Sequence, residues 1–337
     1  MIKYLGSKRT LVPQILELVR DLPVASVCDL FTGTTRVAQA CKRSGLYVVA
    51  NDLASYSHVF ATAWIAADAN ELDTVKLQGW IDHLNGLPGE AGYVTRTFCE
   101  DARYFQPKNG ARIDAIRHEI DRLPASEHER AVLLTSLLLA ADKVDSTTGL
   151  QMAYLKQWAP RAHNDIELRL PELIAGDGAA HRKDAIAFVK DGGTRDVDLT
   201  YIDPPYNQHS YAGNYHVWET LVRNDAPDAY GIARKRTDIR GKRNPWNSKP
   251  RFRETLRSLL AAVESRYLLV SFSNEGVLPS DDLEVMLADI GRVQRMDVNF
   301  RRYIGAQIGV HNPSGEKVGK VSHTRNVEHL FLVDRGG

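Results

Sequence analysis

The stretch DLTYIDPPYNQHSY, residues 198–211, decides how this chain is organised. An apolar, strand-like run ends at Asp203, and Pro204, Pro205 and Tyr206 follow it directly. Because proline cannot donate a hydrogen bond to a sheet, a strand that reaches Asp203 must end there. The turn therefore places a carboxylate, a proline carbonyl and an aromatic ring together at the end of a strand. A plain proline turn is the alternative, although a loop that only reversed the chain could use Gly, Asn or Ser.

Outward from this stretch, strand-like and helical patterns alternate. Apolar runs typical of strands lie at 26–31, 46–52, about 180–184, 197–203, 267–272, 292–300 and 327–333. Helical spacing between the first runs predicts an open, mostly parallel sheet with right-handed crossovers. From about 68 to 175 the pattern is mostly helical, as over 111–123 and 128–144. We therefore predict an α/β fold in which a Rossmann-like sheet, formed by 1–67 and 179–337, is interrupted by a helical insertion at 68–178.

Bulk composition limits the class of protein. The chain has 337 residues, of which 43% are hydrophobic and 25% charged, as in ordinary globular proteins. It has no apolar run of about 20 residues, and its N-terminus, MIKYLGSKRT, lacks the apolar core of a signal peptide. Its three cysteines show no metal-site spacing. These features predict a cytoplasmic protein with no membrane span and no metal site.

Basic residues are concentrated in one segment. The whole chain carries a formal net charge of +1, but between 234 and 257 ten Lys and Arg stand against two acidic residues, a local net charge of +8. Such a concentration suits phosphate binding. Its Gly, Pro and Trp residues predict an extended, DNA-contacting arm within 225–257, and a solvated loop is the alternative. The candidate DNA-binding residues are Arg234, Lys235, Arg236, Arg240, Lys242 and Arg243, with Lys156 from the polar end of the insertion.

Three residues are candidates for binding a nucleoside cofactor at the carboxyl ends of the strands, where open parallel sheets bind ligands. Gly33 lies in the first strand-to-helix turn, where a missing side chain lets a ligand approach the backbone. Asp52 follows the second strand, where an acid accepts hydrogen bonds from a ribose. Asp184 is a candidate for the cofactor's adenine, with Asp101 as the other candidate. Each of Asp52 and Asp184 has the alternative of capping the helix that follows. The absence of GxGxxG disfavours a dinucleotide dehydrogenase.

The order of these motifs resembles that of the Dam-like α-group of DNA adenine methyltransferases, which use S-adenosylmethionine. KYLGSK (3–8), FTGTT (31–35), a helical stretch and DPPY (203–206) follow one another as in that family. The resemblance spans most of the chain and implies a class I methyltransferase sheet whose helical insertion serves target recognition. FTGTT departs from the family's FxGxG, because Thr35 replaces the second glycine. A β-branched residue tolerates a positive φ poorly, so we expect either ordinary dihedrals at Thr35 or a reshaped loop.

The resemblance also implies roles for individual residues. It assigns Tyr4, Lys8 and Phe31 to the cofactor site, with Gly33 and Asp52 at the methionine and ribose portions. A ligand carboxylate would explain a lysine in the first turn of a helix, and an anchored terminal tail is the alternative for Tyr4 and Lys8. The adenine pocket and catalytic turn are assigned to Asp203, Pro204, Pro205 and Tyr206.

The chemistry expected of the DPPY turn requires no metal and no covalent nucleophile. The lone pair of an aromatic amine is delocalised into its ring, so a carboxylate and a backbone carbonyl that accept its two N–H groups would aim that lone pair and stabilise the developing charge. An aromatic ring offers a face for a flat base, worth about 1–3 kcal/mol. The predicted function is transfer of a methyl group from S-adenosylmethionine to N6 of a flipped adenine in double-stranded DNA.

Alternatives to this function remain open. The acceptor could be cytosine N4 or adenine in RNA; a protein amide is disfavoured by the basic segment. A catalytically inactive nucleic-acid-binding protein is the alternative from another class, and Thr35 motivates it. A cognate restriction endonuclease is an expected partner.

Overall fold

The computed structural model describes residues 2–4, 6–205, 211–241, 244–301 and 325–336. Its strands are short in the first half of the chain and longer at the end. In chain order they are β1 (Ser26–Asp29), β2 (Tyr47–Asn51), β3 (Gly178–His181), β4 (Leu199–Ile202), β5 (Ala229–Tyr230), β6 (Lys235–Arg236), β7 (Tyr267–Ser273), β8 (Arg292–Arg301) and β9 (Arg325–Asp334).

One seven-stranded sheet forms the centre of the fold, in the order β3-β2-β1-β4-β7-β9-β8. All neighbouring strands pair in parallel as far as β7, whereas β9 runs antiparallel to both β7 and β8. The predicted Rossmann-like α/β sheet is therefore confirmed. Connections leave β1 in one direction and β4 in the other, so the strand order reverses between them. This is where an open α/β sheet forms a crevice for ligands.

Helices cover both faces of the sheet. They are α1 (Val12–Arg20), α2 (Arg36–Arg43), α3 (Ser55–Ala61), α4 (Thr74–Gly86), α5 (Pro107–Arg122), α6 (Glu127–Val144), α7 (Ala185–Lys190), α8 (Tyr211–Asn214), α9 (His216–Arg223), α10 (Lys249–Ala262) and α11 (Ser280–Ala288). A π-helical turn, Thr62–Ala66, continues α3. No helix within the described ranges is long and apolar enough to cross a membrane.

Alternation along the strands separates two apolar cores. Val27 and Val48 belong to the core that includes α3, α6 and α9, whereas Cys28 and Val49 point into the core under α7, α10 and α11. This is the two-residue period expected of strands buried on both faces. The central strands β4 and β7 are buried along their whole length.

Residues 68–177 contain helices and turns without a strand. A capping box between Ser126 and Glu129 begins α6, and most side chains of that helix are buried. Leucines of α6 share one hydrophobic cluster with Val27 and Val48 of the sheet. The boundaries at 68 and 178 therefore mark a change in element type, while the apolar core continues across them.

Candidate active site

A cavity of about 550 Å³ opens at the carboxyl ends of β1, β2 and β4. It brings together most of the catalytic and cofactor-binding residues predicted from sequence, although they are spread over about 200 positions of the chain. Those that line it are Tyr4, Lys8, Phe31, Gly33, Asp52, Asp184, Asp203 and Pro205. Pro204 is buried and is not among the lining residues. Tyr206 lies outside the described residues, so its predicted stacking role stays a prediction.

Asp203 directly follows β4, as the two prolines require, and its side chain is 18% exposed. Nζ of Lys8 lies 3.1 Å from Oδ1 of Asp203. The pKa of the Asp203 carboxyl is raised to about 7, mainly by burial and also by the nearby negative charge of Glu328, while Lys8 opposes both. The upward direction prevails because burial is the largest of these effects.

The second acid of this pair is Glu328 on β9, which the sequence analysis did not single out. Its Oε1 accepts hydrogen bonds from Nζ of Lys8 and from Oγ of Ser271, each at 2.5 Å. Lys8 was expected to face a ligand carboxylate; in the structure its ammonium contacts two carboxylates of the protein itself. Two polar residues, Glu328 and His329, within the strand-like run VEHLFLV were the available signal, because a buried charge in a strand needs a partner.

Two residues of the turn after β1 have a positive φ, the conformation typical of glycine. Gly33 has φ of +51°, and Thr35 also adopts a left-handed conformation, with φ of 59° and ψ of 21°. Of the two alternatives for Thr35, ordinary dihedrals or a reshaped loop, the first is therefore wrong. Hydrogen bonds hold the strained residue: its backbone N–H donates to the carbonyl of Thr32 at 2.6 Å, and its Oγ1 accepts from Nε2 of Gln39 at 2.7 Å. They offset a backbone cost of about 1–2 kcal/mol.

Asp52 ties this turn to the end of β2. One carboxylate oxygen accepts from the backbone N–H of Gly33 and the other from that of Ala54, both at 2.9 Å. The second bond lies just before α3, whose N-cap is Ala54 and has no side-chain capping bond, and the first positions the glycine turn. The capping alternative is therefore wrong for Asp52, which lines the cavity.

Tyr4 forms one wall of the cavity. Its ring stacks on Tyr215 at 4.6 Å between centroids, and Tyr215 stacks on Trp218 at 4.7 Å. A Cβ on Gly33 would lie 3.1–3.3 Å from the Tyr4 ring, so the bare Cα permits this approach. The preceding Lys3 is bound to Asp142 and Asp145 of the insertion. The N-terminal segment is therefore anchored as well as part of the cavity wall.

Of the remaining cofactor candidates, Asp184 and Phe31 line the cavity and Asp101 does not. Asp184 lines the cavity, and its carboxylate also caps α7 by accepting from two backbone N–H groups. Asp101 does not line the cavity and pairs instead with Arg234 at 3.0 Å. Phe31 packs edge-on against Trp246, with 5.2 Å between ring centroids.

Asp29, at the end of β1, is a cavity residue that the sequence analysis did not predict. Its Oδ2 accepts from Thr32 and from the backbone of Ala38, whereas its buried Oδ1 has no hydrogen-bond partner among the described residues. Burial raises the pKa of this carboxyl to about 7. An acid that ends the first strand was visible in the sequence, but nothing there showed that it would be buried.

The basic segment differs most from its prediction. It is not an extended arm, because β5 and β6 form a hairpin and α10 begins at Lys249. Trp246, the tryptophan of the predicted arm, is 3% exposed, lines the cavity and packs against Phe31 and Phe252.

The position of Arg236 contradicts its prediction as a DNA-binding residue. Its side chain is 1% exposed, and its guanidinium binds Asp225 at 2.6 and 2.7 Å and Asp238 at 3.0 and 3.1 Å. A buried guanidinium between two carboxylates is not available to phosphates. Arg234 is paired with Asp101, Lys235 is half-buried, and Arg240 and Lys156 are exposed. Lys242 and Arg243 lie outside the described residues.

Comparison with known proteins identifies the family to which these motifs belong. The sequence model described as D12 class N6 adenine-specific DNA methyltransferase matches residues 4–272. The chain belongs to this family. The resemblance noted from the motif order is therefore confirmed, and the matched residues include the glycine turn, the insertion and DPPY.

Several modification methylases align over most of the chain. The type II methyltransferase M.NlaIII of Neisseria lactamica is 28% identical over 318 residues, which are 90% of this chain and 92% of that protein. Modification methylase StsI of Streptococcus sanguinis is 30% identical over 326 residues. The type II methyltransferase M.FokI of Planomicrobium okeanokoites is 28% identical over 328 residues. The alignments to StsI and M.FokI cover 90% of this chain but only 49% and 50% of those proteins, so the chain spans about half their length.

Proposed function

We propose that this chain is a site-specific methyltransferase that acts on the N6 amino group of adenine in double-stranded DNA, with S-adenosylmethionine as the methyl donor. The observation that carries the proposal is that one cavity joins the glycine turn to Asp203 in a chain of the D12 family. The two halves of the reaction, donor and acceptor, therefore have candidate residues in a single space.

Two features of the cavity suit S-adenosylmethionine. The unpartnered Oδ1 of Asp29 is a buried acceptor at the cavity wall, as the α-ammonium of the methionine portion requires. The turn at Gly33 has no side chain where the backbone meets Tyr4, so a ligand can approach the main chain there. Asp52, beside the turn, is the candidate for the ribose hydroxyls. When bound, the cofactor supplies an electrophilic methyl group.

The acceptor side of the reaction is assigned to the DPPY turn. The carboxylate of Asp203 and the carbonyl of Pro204 accept the two N–H groups of the adenine amine and direct its lone pair towards the methyl group. Lys8 holds Oδ1 of Asp203, which leaves Oδ2 as the candidate acceptor. Asp203 acts only when ionised, and the surplus proton of the amine leaves to solvent.

The choice of DNA rests on the family description and on exposed basic side chains. Arg240 and Lys156 are exposed, so they are candidates for phosphate contacts. The names of M.NlaIII and M.FokI as type II methyltransferases lead us to propose a cognate restriction endonuclease as partner. Resistance of host DNA to that nuclease after expression of this chain would support the pairing.

An inactive binding protein was the competing function, and the conformation of Thr35 bears on it. Because Thr35 keeps the left-handed conformation of a glycine, the substitution does not by itself remove the cofactor turn. Calorimetric titration with S-adenosylmethionine separates the two functions, since only the enzyme is expected to bind it.

The decisive experiment compares Asp203→Ala with the wild-type chain. Transfer of labelled methyl groups to duplex DNA is expected to fall by about 10²–10³-fold, because a preorganised acceptor of the reacting amine is lost. Cofactor and DNA binding should be retained. Asp191→Ala, which alters an exposed acid paired with Lys183, serves as the control. Normal methylation by Asp203→Ala would contradict the assignment, and modification-sensitive sequencing of host DNA would identify base and site.

A further inference from the structure

Glu328 occupies a position that the proposed chemistry does not yet explain. Its side chain is 1% exposed, it is not among the residues that line the cavity, and it lies beyond the residues matched by the family model. Nevertheless it forms two 2.5 Å hydrogen bonds, with Nζ of Lys8 and Oγ of Ser271. A buried acid with two short, charge-assisted contacts is held in one geometry.

The arrangement places one cation between two carboxylates. Lys8 is 3.1 Å from Asp203 and 2.5 Å from Glu328, and its side chain is 7% exposed. With both acids ionised the triad has a net charge of −1. Without Glu328 the same ammonium would pair with Asp203 alone, and the buried site would be neutral. A net negative site is the better environment for a cationic methyl donor.

Groups on every strand near Asp203 contribute to its environment. Tyr201 on β4 is buried, and burial raises the pKa of its hydroxyl, so it stays protonated. Ser271 on β7 donates to Glu328, and Asp29 on β1 adds a further acid close enough to interact with Asp203. Among these groups Lys8 is the cation, and its position depends on Glu328.

We propose that Glu328 is a positioning residue for methyl transfer, which fixes the Lys8 ammonium against Oδ1 of Asp203 and, through its own charge, sets the pH range in which Asp203 is ionised. This inference rests on the proposed function. The adenine amine is presented to Oδ2 because Oδ1 is held by Lys8. The charge of Glu328 keeps Lys8 from pairing with Asp203 alone.

The test is the pH profile of methyl transfer by Glu328→Gln. Glutamine keeps the shape and an acceptor oxygen but removes the charge, so Asp203 should ionise at lower pH. The wild-type rate is expected to fall about tenfold between pH about 8 and about 6, and that of Glu328→Gln by about threefold or less. Affinity for S-adenosylmethionine should be unchanged. The proposal is overturned if the fall in rate on the acid side of the pH profile occurs at the same pH as in the wild type, or at a higher pH.

A matched control removes one negative charge from the same strand. Asp334→Asn alters an acid of β9 that pairs with Arg266 at 3.3 Å, and its profile should match the wild type. If Glu328→Gln does not fold, Ser271→Ala serves instead, because it removes a hydrogen bond to Oε1 of Glu328. In this variant the fall in rate at acid pH should move to lower pH by a smaller amount. If it does not move, the result counts against the proposal.

Failure of the proposed function gives a different result. Wild-type protein would then transfer no methyl group at any pH, whereas the inference could still be checked through the ¹³C chemical shift of the Asp203 carboxyl. Its titration midpoint should be lower in Glu328→Gln than in the wild type. Equal midpoints would overturn the inference independently of activity.

Discussion

Residues chosen from sequence had opposite outcomes in two regions: the cavity at the end of β4 around Asp203, and the basic segment at 234–257. Around Asp203, residues far apart in the chain are brought together: Asp52 and Asp203, which directly follow β2 and β4, line one cavity. In the basic segment, Arg236 is buried between two acids, and the predicted extended arm is a hairpin followed by a helix. The first prediction rested on motif order and strand ends, the second on charge and composition.

The difference has a physical cause. Residues that directly follow parallel strands are brought to one edge of the sheet by topology, whatever lies between them in sequence. A run of basic residues carries no such constraint, because each side chain pairs with whichever acid the fold brings near. Asp225 and Asp238 were both visible, but their contact with Arg236 depends on how the hairpin packs against α9.

The largest expected effect in this comparison is on stability. Arg236→Ala would leave Asp225 and Asp238 beside a buried space with Arg223 as their remaining cation, and breaking a buried ion pair costs about 3 kcal/mol or somewhat more. The lower end applies here because Arg223 still pairs with both acids, which are themselves 29% and 35% exposed. Urea unfolding should detect the loss directly.

Arg240→Ala is the matched variant, since it removes the same side chain from an exposed position over the ring of Tyr230. It should leave stability almost unchanged and, if Arg240 contacts a phosphate, reduce the salt dependence of DNA binding by about one unit of slope. Equal losses of stability in the two variants would show that burial between two acids does not make Arg236 more important for stability than the exposed Arg240.

The fold was more predictable than the packing within it. Each strand of the large sheet was located within a few residues, because apolar runs bounded by Gly, Pro or polar residues are strong signals. Helix α10 was missed, since the prolines and charges of its first turns suggested an arm. Glu328 was missed for a different reason: a single acid gives no sign in sequence of the lysine, 320 positions away, that binds it.

The next effect concerns cofactor binding at the glycine turn. Gly33→Ala places a Cβ 3.1–3.3 Å from the ring of Tyr4, at a residue with φ of +51°. The backbone penalty is about 1 kcal/mol, and displacement of Tyr4 should add to it. We expect affinity for S-adenosylmethionine to fall by about tenfold or more, measured by calorimetric titration.

Gly45→Ala provides the control for that variant. Gly45 has φ of +83°, and nothing lies within 4 Å of the Cβ that would be added. It shares the backbone penalty without the contact to Tyr4, so it should lose stability and keep its cofactor affinity. If the two variants lose affinity equally, the wall formed by Tyr4 plays no part in binding.

The smallest effect tests the strained turn itself. At an ordinary position alanine is more stabilising than glycine, but Thr35 has φ of 59°, where alanine retains the strain and glycine removes it. Both substitutions lose two buried hydrogen bonds of Oγ1, one accepted from Nε2 of Gln39 and one donated to the carbonyl of Thr34. Thr35→Gly should therefore lie within about 2 kcal/mol of the wild type, because relief of strain offsets part of the loss. Thr35→Ala should be less stable than Thr35→Gly by about 1 kcal/mol. Urea unfolding of both variants measures which is the more stable. An alanine variant more stable than the glycine variant would mean that the turn does not hold residue 35 in the left-handed conformation.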